Sequence, residues 1–464
     1  MSAPVIWIIF PVAISIGLLF LLNKPTLVKT VGIVVSLLLV ITAFFQPIGN
    51  VLRIGGIVLD IKPDLFIFGR SLLLENSDKF ALSIVFSTVL LFLLCMDIKT
   101  IPTKFVPLSL AIAGFLVAAL AVQPFLYSAV LVEMAVLLTI LMVKEKVSQP
   151  ESGIIRFLIY LSLAMPCILF AGWILGGAQA SPSDETRSTS AVIFLMIGFS
   201  LWLAVFPFHS WVPQFSRVVN PYLFGFIFSL LPVVTLLSIM DYISSLVWLK
   251  TATYLSPGLR IVGIIMIVTT GIFTSVEKDL KRILAATVLL ETGFALVMLS
   301  LQSEQGVLLL YQSFIPRILG LALLSYSLSV FMHEGIQLNL QGIRGVIKRL
   351  PFASLGIMLS LISITGFPLF AGFPVRFELL RQLGQLSISS LVWTAVGLAG
   401  FLIATIRVFV FTTFPDNEKW QINEKITQIV IICIGIILLV ILGWVPQLTA
   451  SMIAPFAADL PTLW

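Results

Sequence analysis

The sequence predicts an all-α polytopic membrane protein of about 14 transmembrane helices, and three observations carry that reading. Mean hydropathy is +1.14 and only 10% of the 464 residues are charged, where a soluble domain carries about a quarter. Apolar runs of about 20 residues, each able to cross the hydrocarbon core as a helix, recur along the chain. The runs are apolar on every side, as in 31–45 (VGIVVSLLLVITAFF) and 428–443. Barrel strands would alternate apolar and polar residues over about 10 positions instead.

Taken in order, the apolar windows place spans at 4–22, 27–45, 79–96, 105–122, 124–143, 153–178, 190–213, 220–246, 258–275, 281–302, 306–333, 351–384, 388–413 and 426–447. The first is expected to be retained, because it lacks the basic leader and small-residue cleavage site of a signal peptide. Between the second and third spans, loop 46–78 holds two alternating stretches, VLRIGGIVLDI and DLFIFG, which suit a small hairpin on the membrane surface. The expected organisation is an N-terminal three-helix segment (1–104), a first repeat (105–246), a second repeat (258–413) and a C-terminal helix and tail (414–464).

Lysine and arginine set the orientation. The odd-numbered connections hold Lys24, Lys99, Lys144, Lys146, Lys278, Lys348 and Lys419 among others, about twice the basic residues of the even ones, where Arg53 and Lys250 lie. The positive-inside rule puts the odd connections in the cytoplasm and both termini on the opposite side. The net charge of +6 sits at helix ends and gives no nucleic-acid footprint. Cys95, Cys167 and Cys433 lie in or beside apolar spans with no metal-ligand spacing, and read as small buried side chains.

Few charges remain inside the spans. A central charge costs at least about 2.5–3.5 kcal/mol on insertion scales, so such residues face the bundle interior, pair, and mark ion routes. Glu133 lies mid-span in LYSAVLVEMAVLLTILM, and Glu291 mid-span in VLLETGFALVML. Both are candidate proton carriers; the bland alternative is a structural carboxyl bonded to a neighbouring helix. Arg317 and Arg376 cannot give up their protons. They can tune a nearby carboxyl or water electrostatically. Arg407 reads as a helix-end or snorkelling residue, and Lys281 and Arg282 as headgroup binders or anchors of a helix end.

Two spans are broken. One reads FPFHSWVP, with Pro207 and Pro213; the other reads SITGFPLFAGFPVRFE, with Gly366, Pro368, Gly372 and Pro374. Proline removes a backbone donor and opens the helix. Irregular backbone at membrane depth survives only where it is buried in protein or lines a polar cavity. Two breaks about five spans apart, in corresponding halves, point to inverted repeats with a transport site between them. His209, beside the first break, either caps broken backbone or hands protons to an entrance. Imidazole titration near neutral pH permits the second role.

These segments resemble one family. FPFHSWVPQF (206–215) is similar to the PFH-W-P signature in the broken seventh helix of the antiporter-like subunits of respiratory complex I and of Mrp-type sodium/proton antiporters. KDLKRILAATVLLETGF (278–294) resembles the stretch opening the family's tenth helix. GIRGVIKRLPFASLGIMLSLISITGFPLFAGFPVRFEL (342–379) resembles the segment leading into the broken twelfth helix. Glu133 falls at the fifth-helix glutamate, and the likeness runs over roughly residues 100–410. It implies 14 helices with two inverted five-helix repeats, broken at helices 7 and 12, around a hydrated mid-membrane axis of protonatable residues.

The chain departs from that pattern at the cations. The seventh-helix lysine position holds Trp202, and the eighth-helix one Val234 or Thr235. The tenth-helix histidine position holds Glu291. The eleventh-helix lysine position holds Arg317, with Ser313 one turn earlier, and the twelfth-helix lysine or glutamate position holds Arg376. Glu133 has therefore lost its expected cationic partner, and a lysine-based relay cannot run here unchanged.

The function implied is a proton-translocating subunit, of the M, N or Mrp-D type, in an NAD(P)H- or ferredoxin-quinone oxidoreductase assembly. The alternatives are an Mrp-type Na+/H+ antiporter subunit, an inorganic-carbon uptake subunit, or a non-conducting structural subunit. The chain carries no flavin, nicotinamide or cluster motif, so quinone and iron–sulfur centres are expected in partner membrane subunits. The transported ion is expected to be the proton or sodium, in a bacterial plasma membrane or a thylakoid-like energy-transducing membrane.

Overall fold

The structure is a computed structural model that describes residues 2–49, 51–54, 57–67, 69–97, 99–143, 152–180, 185–245, 254–415 and 420–457. Lys144, Lys146, Lys250 and Lys419, used above for orientation, lie outside the described residues. Ten helices among the described residues are long and apolar enough to cross a membrane, and four shorter apolar helices accompany them: Val5–Leu19, Phe105–Ala121, Thr189–Trp202 and Pro351–Thr365. Their order coincides with the expected spans, and they are numbered here as first to fourteenth. The polytopic helical architecture is the one the hydropathy pattern dictates.

The chain divides into two units. One holds Met1–Leu203 and Leu230–Ser245; the other holds Ala204–Ser229 and Leu246–Ala457. The seventh span divides at its break, and the eighth, Pro221–Ser245, contributes its start to the second unit and its remainder to the first.

In the first unit the second span packs on the third, the fourth on the first and fifth, and the sixth on the seventh. Loop 46–78 forms strands as its alternation suggested. Strands β1 (Val51–Ile54) and β2 (Ile57–Asp60) form an antiparallel hairpin with Val51 opposite Asp60. Strands β3 (Asp64–Ile67) and β4 (Arg70–Leu73) form another, with Asp64 opposite Leu73. Strand β5 (Val122–Gln123), at the end of the fourth span, pairs with β4 through Ser71 and Gln123 and ties the loop to the helices. The Arg70 guanidinium lies 4.1 Å from the Tyr127 ring centroid and clamps the same corner.

In the second unit the ninth span, Leu255–Val276, packs on the tenth, Leu280–Leu299, and on the thirteenth, Ile388–Thr413. Lipid tails are as apolar as leucine, so such packing relies on close backbone approach. Glycine permits it here: a Cβ on Gly397 would stand 2.6 Å from the Ile267 carbonyl oxygen, and one on Gly400 2.6 Å from the Gly271 carbonyl carbon. Arg407 on the thirteenth span donates to the carbonyls of Ser275 and Glu277, the latter at 3.2 Å, and so satisfies the C-terminal end of the ninth. That places it at a helix end rather than among the ion-handling groups. Beyond the fourteenth span, Ile426–Trp444, a further helix Pro446–Ala457 follows. Its apolar content is too short to register as a span, and the sequence reading had it only as tail.

The three cysteines are free and half-buried.

Candidate functional site

The first break begins where the helix Glu185–Trp202 stops. Ala204 adopts φ 51°, the left-handed region that an L residue with a side chain seldom enters. A short 3-10 turn, Phe208–Trp211, and the helix Val212–Val218 follow, with Pro213 in the first helical turn, where its missing N–H costs no helical bond. The second break begins where Pro351–Thr365 ends on Gly366 at φ 79°. Leu369 stands at φ 82°, and Gly372–Leu386 resumes the helix with Pro374 in its first turn. Gly366 is required twice over, since a Cβ there would also lie 2.6 Å from Cγ of Arg376. Each break thus carries one non-glycine residue at positive φ, a local cost of about 1–3 kcal/mol that surrounding packing must hold.

In the first unit, Glu133 lies on the fifth span, Ser128–Val143. It stands between the buried stripe Val132, Ala135 and Val136 and the exposed Met134 and Leu137. The side chain is half-buried, and the Ser162 hydroxyl on the sixth span donates to Oε1 at 2.6 Å. No basic side chain pairs with it among the described residues. Ser162 was missed from sequence because a lone serine in a helix gives no signal of what it faces. Where the family lysine would stand, Trp202 is 2% exposed and meets Phe199 edge-on at 5.8 Å. Phe199, Phe125 and Tyr242 complete the cluster, with Phe125 and Tyr242 4.6 Å apart. Trp202 is thereby held in a buried aromatic cluster. Val234 and Thr235 are buried, and the Thr235 hydroxyl is spent on the Leu231 carbonyl at 2.8 Å.

The second unit gathers the remaining charges. Glu291, Arg317 and Arg376 are 5%, 2% and 4% exposed. The Arg376 Nη2 donates to Glu291 Oε1 in a buried ion pair. Its guanidinium also lies 3.7 Å from the Phe294 ring centroid, three residues along the tenth span from Glu291 on the same helix face. Arg317 stands within electrostatic reach of both partners. Its Nε and Nη2, and the Nε of Arg376, have no hydrogen-bond partner on the protein among the described residues. Pro316 precedes Arg317 inside the eleventh span, Glu304–His333, and removes one helical hydrogen bond beside it. Ser313, one turn earlier, donates to Leu310 O at 2.6 Å rather than to the cluster. The cluster thus gathers one carboxylate and two guanidiniums, and an arginine does not give up its proton in a protein.

His209 sits in the 3-10 turn of the first break, stacked on Phe206 with ring centroids 5.7 Å apart. Its Nδ1 is buried and unpartnered on the protein, and the ring lines a cavity of about 600 Å³. Lys281 anchors a helix end: its Nζ donates to the carbonyls of Arg217 at 3.1 Å and Val219 at 3.4 Å.

Residues 174–404, about half of the chain, match the family described as the transmembrane region of NADH:quinone oxidoreductase and Mrp antiporters. NADH-quinone oxidoreductase subunit N of Pelagibacter ubique is 23% identical over 293 residues, covering 60% of each chain. The Campylobacter hominis subunit N is 24% identical over 282 residues, covering 55% of this chain and 56% of that one. The chain thus matches somewhat over half the length of these curated relatives. Three solved structures share the fold. One, from the membrane-bound sulfane sulfur reductase of an archaeal respiratory complex, has TM-score 0.83 and 15% identity, covering 99% of this chain and 98% of that one. A chain of the Mrp complex from Dietzia sp. gives 0.80 and 16%, covering 99% and 97%. A chain of respiratory complex I from Thermus thermophilus gives 0.73 and 16%, covering 94% and 97%. With its PFH-W-P break and this matched segment, the chain belongs to the family of antiporter-like membrane subunits of complex I and Mrp assemblies.

Proposed function

We propose that this chain is a proton-translocating membrane subunit of a complex I-type quinone oxidoreductase assembly, with quinone and iron–sulfur centres on partner subunits. The observation that carries the reading is the placement of a carboxyl, Glu133, at mid-span with a hydroxyl as its only side-chain partner among the described residues. A serine hydroxyl both donates and accepts, so it can relay a proton to the carboxylate only while taking one from a neighbouring water in the same step, which leaves the hydroxyl neutral. Glu291 holds a second carboxyl in the middle of its own span, paired with Arg376, and His209 offers an imidazole beside the first break. A lysine relay is replaced by carboxyls biased by fixed arginines.

The test is proton uptake by sealed vesicles containing the assembled complex, with Glu133→Gln beside the unaltered protein. A positioned proton-transfer group is worth about 100-fold or more, so uptake per electron transferred should fall by at least about tenfold while electron transfer persists. Equal proton yield in both would remove Glu133 from the route.

One observation favours a second reading. The Trp202 aromatic cluster stands where the family has a lysine, and a plug of this kind suits a structural membrane subunit. An assembly that transfers electrons normally yet shows the same proton yield with and without this chain's two carboxyls would establish that role.

A further inference from the structure

The cavity beside the first break gathers two basic side chains, Lys278 and Arg282, that proton handling does not use. It is walled on its polar side by His209, Gln214, Lys278 and Arg282 and on its apolar side by Phe273 and Val276. Its volume, about 600 Å³, falls within the roughly 300–1,000 Å³ typical of ligand sites. The charges at its rim do not cancel. Glu277 is committed to Arg282 at 2.6 Å and to the backbone N–H groups of Lys278 and Asp279. Lys278 has no ion pair among the described residues and is exposed, so the rim keeps a positive charge. The buried Nδ1 of His209 is unpartnered on the protein. These groups suit an anion with several oxygen acceptors.

The apolar wall continues away from that mouth. Phe273 is 69% and Val276 68% exposed, large apolar side chains at the end of a helix beside a charged rim. Ile261, Ile265, Val268, Ile272 and Val276 recur at helical spacing and form one stripe down the ninth span. A second, apolar cavity of about 400 Å³ lies along that stripe, between Ile261, Ile265, Val268 and Trp393 of the thirteenth span. From Thr274 at the first cavity to Ile265 at the second is nine residues, roughly 14 Å of helix, about the depth of one leaflet of a roughly 30 Å core. A free anion would need only the polar mouth; a membrane lipid needs both parts at this separation.

We propose that the ninth span carries a binding site for one anionic phospholipid. The phosphate headgroup sits in the cavity lined by His209, Lys278 and Arg282, and an acyl chain lies along the Ile261–Val276 stripe. Lys278 supplies the uncompensated charge, Arg282 donates while held by Glu277, and the stripe selects a lipid over a soluble anion. Neither Glu133 nor Glu291 lines the cavity; His209 is shared with the proton reading, so the test acts on Lys278 and Leu289 and its failure leaves the Glu133→Gln comparison untouched. It lies at the membrane face to which the lysine and arginine bias assigns the cytoplasm, where anionic headgroups meet basic pockets between helices.

The experiment is native mass spectrometry of the purified full chain in detergent, titrated with phosphatidylglycerol or with phosphatidylcholine of the same acyl chains. One basic residue near a headgroup is worth about fivefold in affinity. Phosphatidylglycerol should bind at least about fivefold more tightly than phosphatidylcholine, and Lys278→Gln, an exposed change that leaves packing intact, should erase most of that preference. Leu289→Trp, which fills the headgroup cavity from its apolar wall, should displace the lipid. Glycerol phosphate without acyl chains should fail to compete at the same concentration. Equal binding of the two lipids, or an undiminished preference in Lys278→Gln, would overturn the proposal. Full competition by glycerol phosphate would overturn the lipid and leave a soluble-anion site.

Discussion

The buried cluster of the second unit has an odd charge count, and that count predicts an asymmetry. Glu291 neutralises Arg376 directly, and Arg317 stands within electrostatic reach of both. Removing Arg376 by substitution with methionine leaves Glu291 facing Arg317, one charge against one. Replacing Glu291 by leucine leaves two guanidiniums together with no counter-charge. Breaking a buried pair so as to leave an uncompensated charge typically costs about 3–5 kcal/mol. Glu291→Leu should therefore lower the melting temperature of the detergent-purified protein by clearly more than Arg376→Met does. The double variant should be no worse than Glu291→Leu alone, since the two residues couple directly. Equal single-variant melts, or Arg376→Met the worse, would mean that Arg317 does not share the carboxylate. Phe294 holds the Arg376 guanidinium from its face, which keeps the pair in place without adding a second titratable group.

Helix ends in this molecule are closed by side chains from distant elements, and one of them responds to pH. Glu424, in the connection before the fourteenth span, is 8% exposed. It accepts from the backbone N–H of Phe352 at 3.0 Å and of Ala353 at 2.6 Å, the opening turn of the twelfth span. A carboxylate there complements the positive end of the helix. Burial nonetheless dominates and raises its pKa, with the two backbone hydrogen bonds opposing. Because the folded value is raised, the native state keeps the proton to higher pH than the unfolded chain does. Stability from this group is full at acid pH and falls as pH climbs through the interval that starts at the ordinary glutamate value of about 4.3. Glu424→Gln should flatten the melting temperature across that interval relative to the unaltered protein. An unchanged pH slope would show that Glu424 does not titrate there. The same habit explains Arg407, which closes the ninth span from the thirteenth, although its sequence position alone is equally compatible with snorkelling.

At the scale of the whole chain, what was legible in the sequence follows from the bilayer itself. Every backbone group inside lipid must be satisfied within its helix, so a crossing leaves an apolar run of helical length; the ten helices long enough to cross and the four shorter apolar ones among the described residues all fall on such runs. The two breaks were visible for the converse reason, because proline and glycine at membrane depth are costly unless protein surrounds them. Side-chain partnership was not legible: Ser162 against Glu133, Phe294 against Arg376 and the Trp202 cluster all join residues whose meeting depends on helix rotation, which hydropathy does not encode. Nor was the helix Pro446–Ala457, too short for the hydropathy window. Orientation sits between these cases, since it was read from charge counts that include Lys144, Lys146, Lys250 and Lys419, outside the described residues. The fourteen crossings expected from the sequence, an even number, would put both termini on one side, and the excess of lysine and arginine in the odd connections would hold those connections back from translocation. Alkaline phosphatase fused after Trp464 should consequently be active, and a fluorescent protein at the same point dark. In the connection between the third and fourth spans, beside Lys99 and Lys104, the two reporters should exchange behaviour. Phosphatase activity at that connection would reverse the whole assignment and carry the cavity of Lys278 and Arg282 to the opposite face of the membrane.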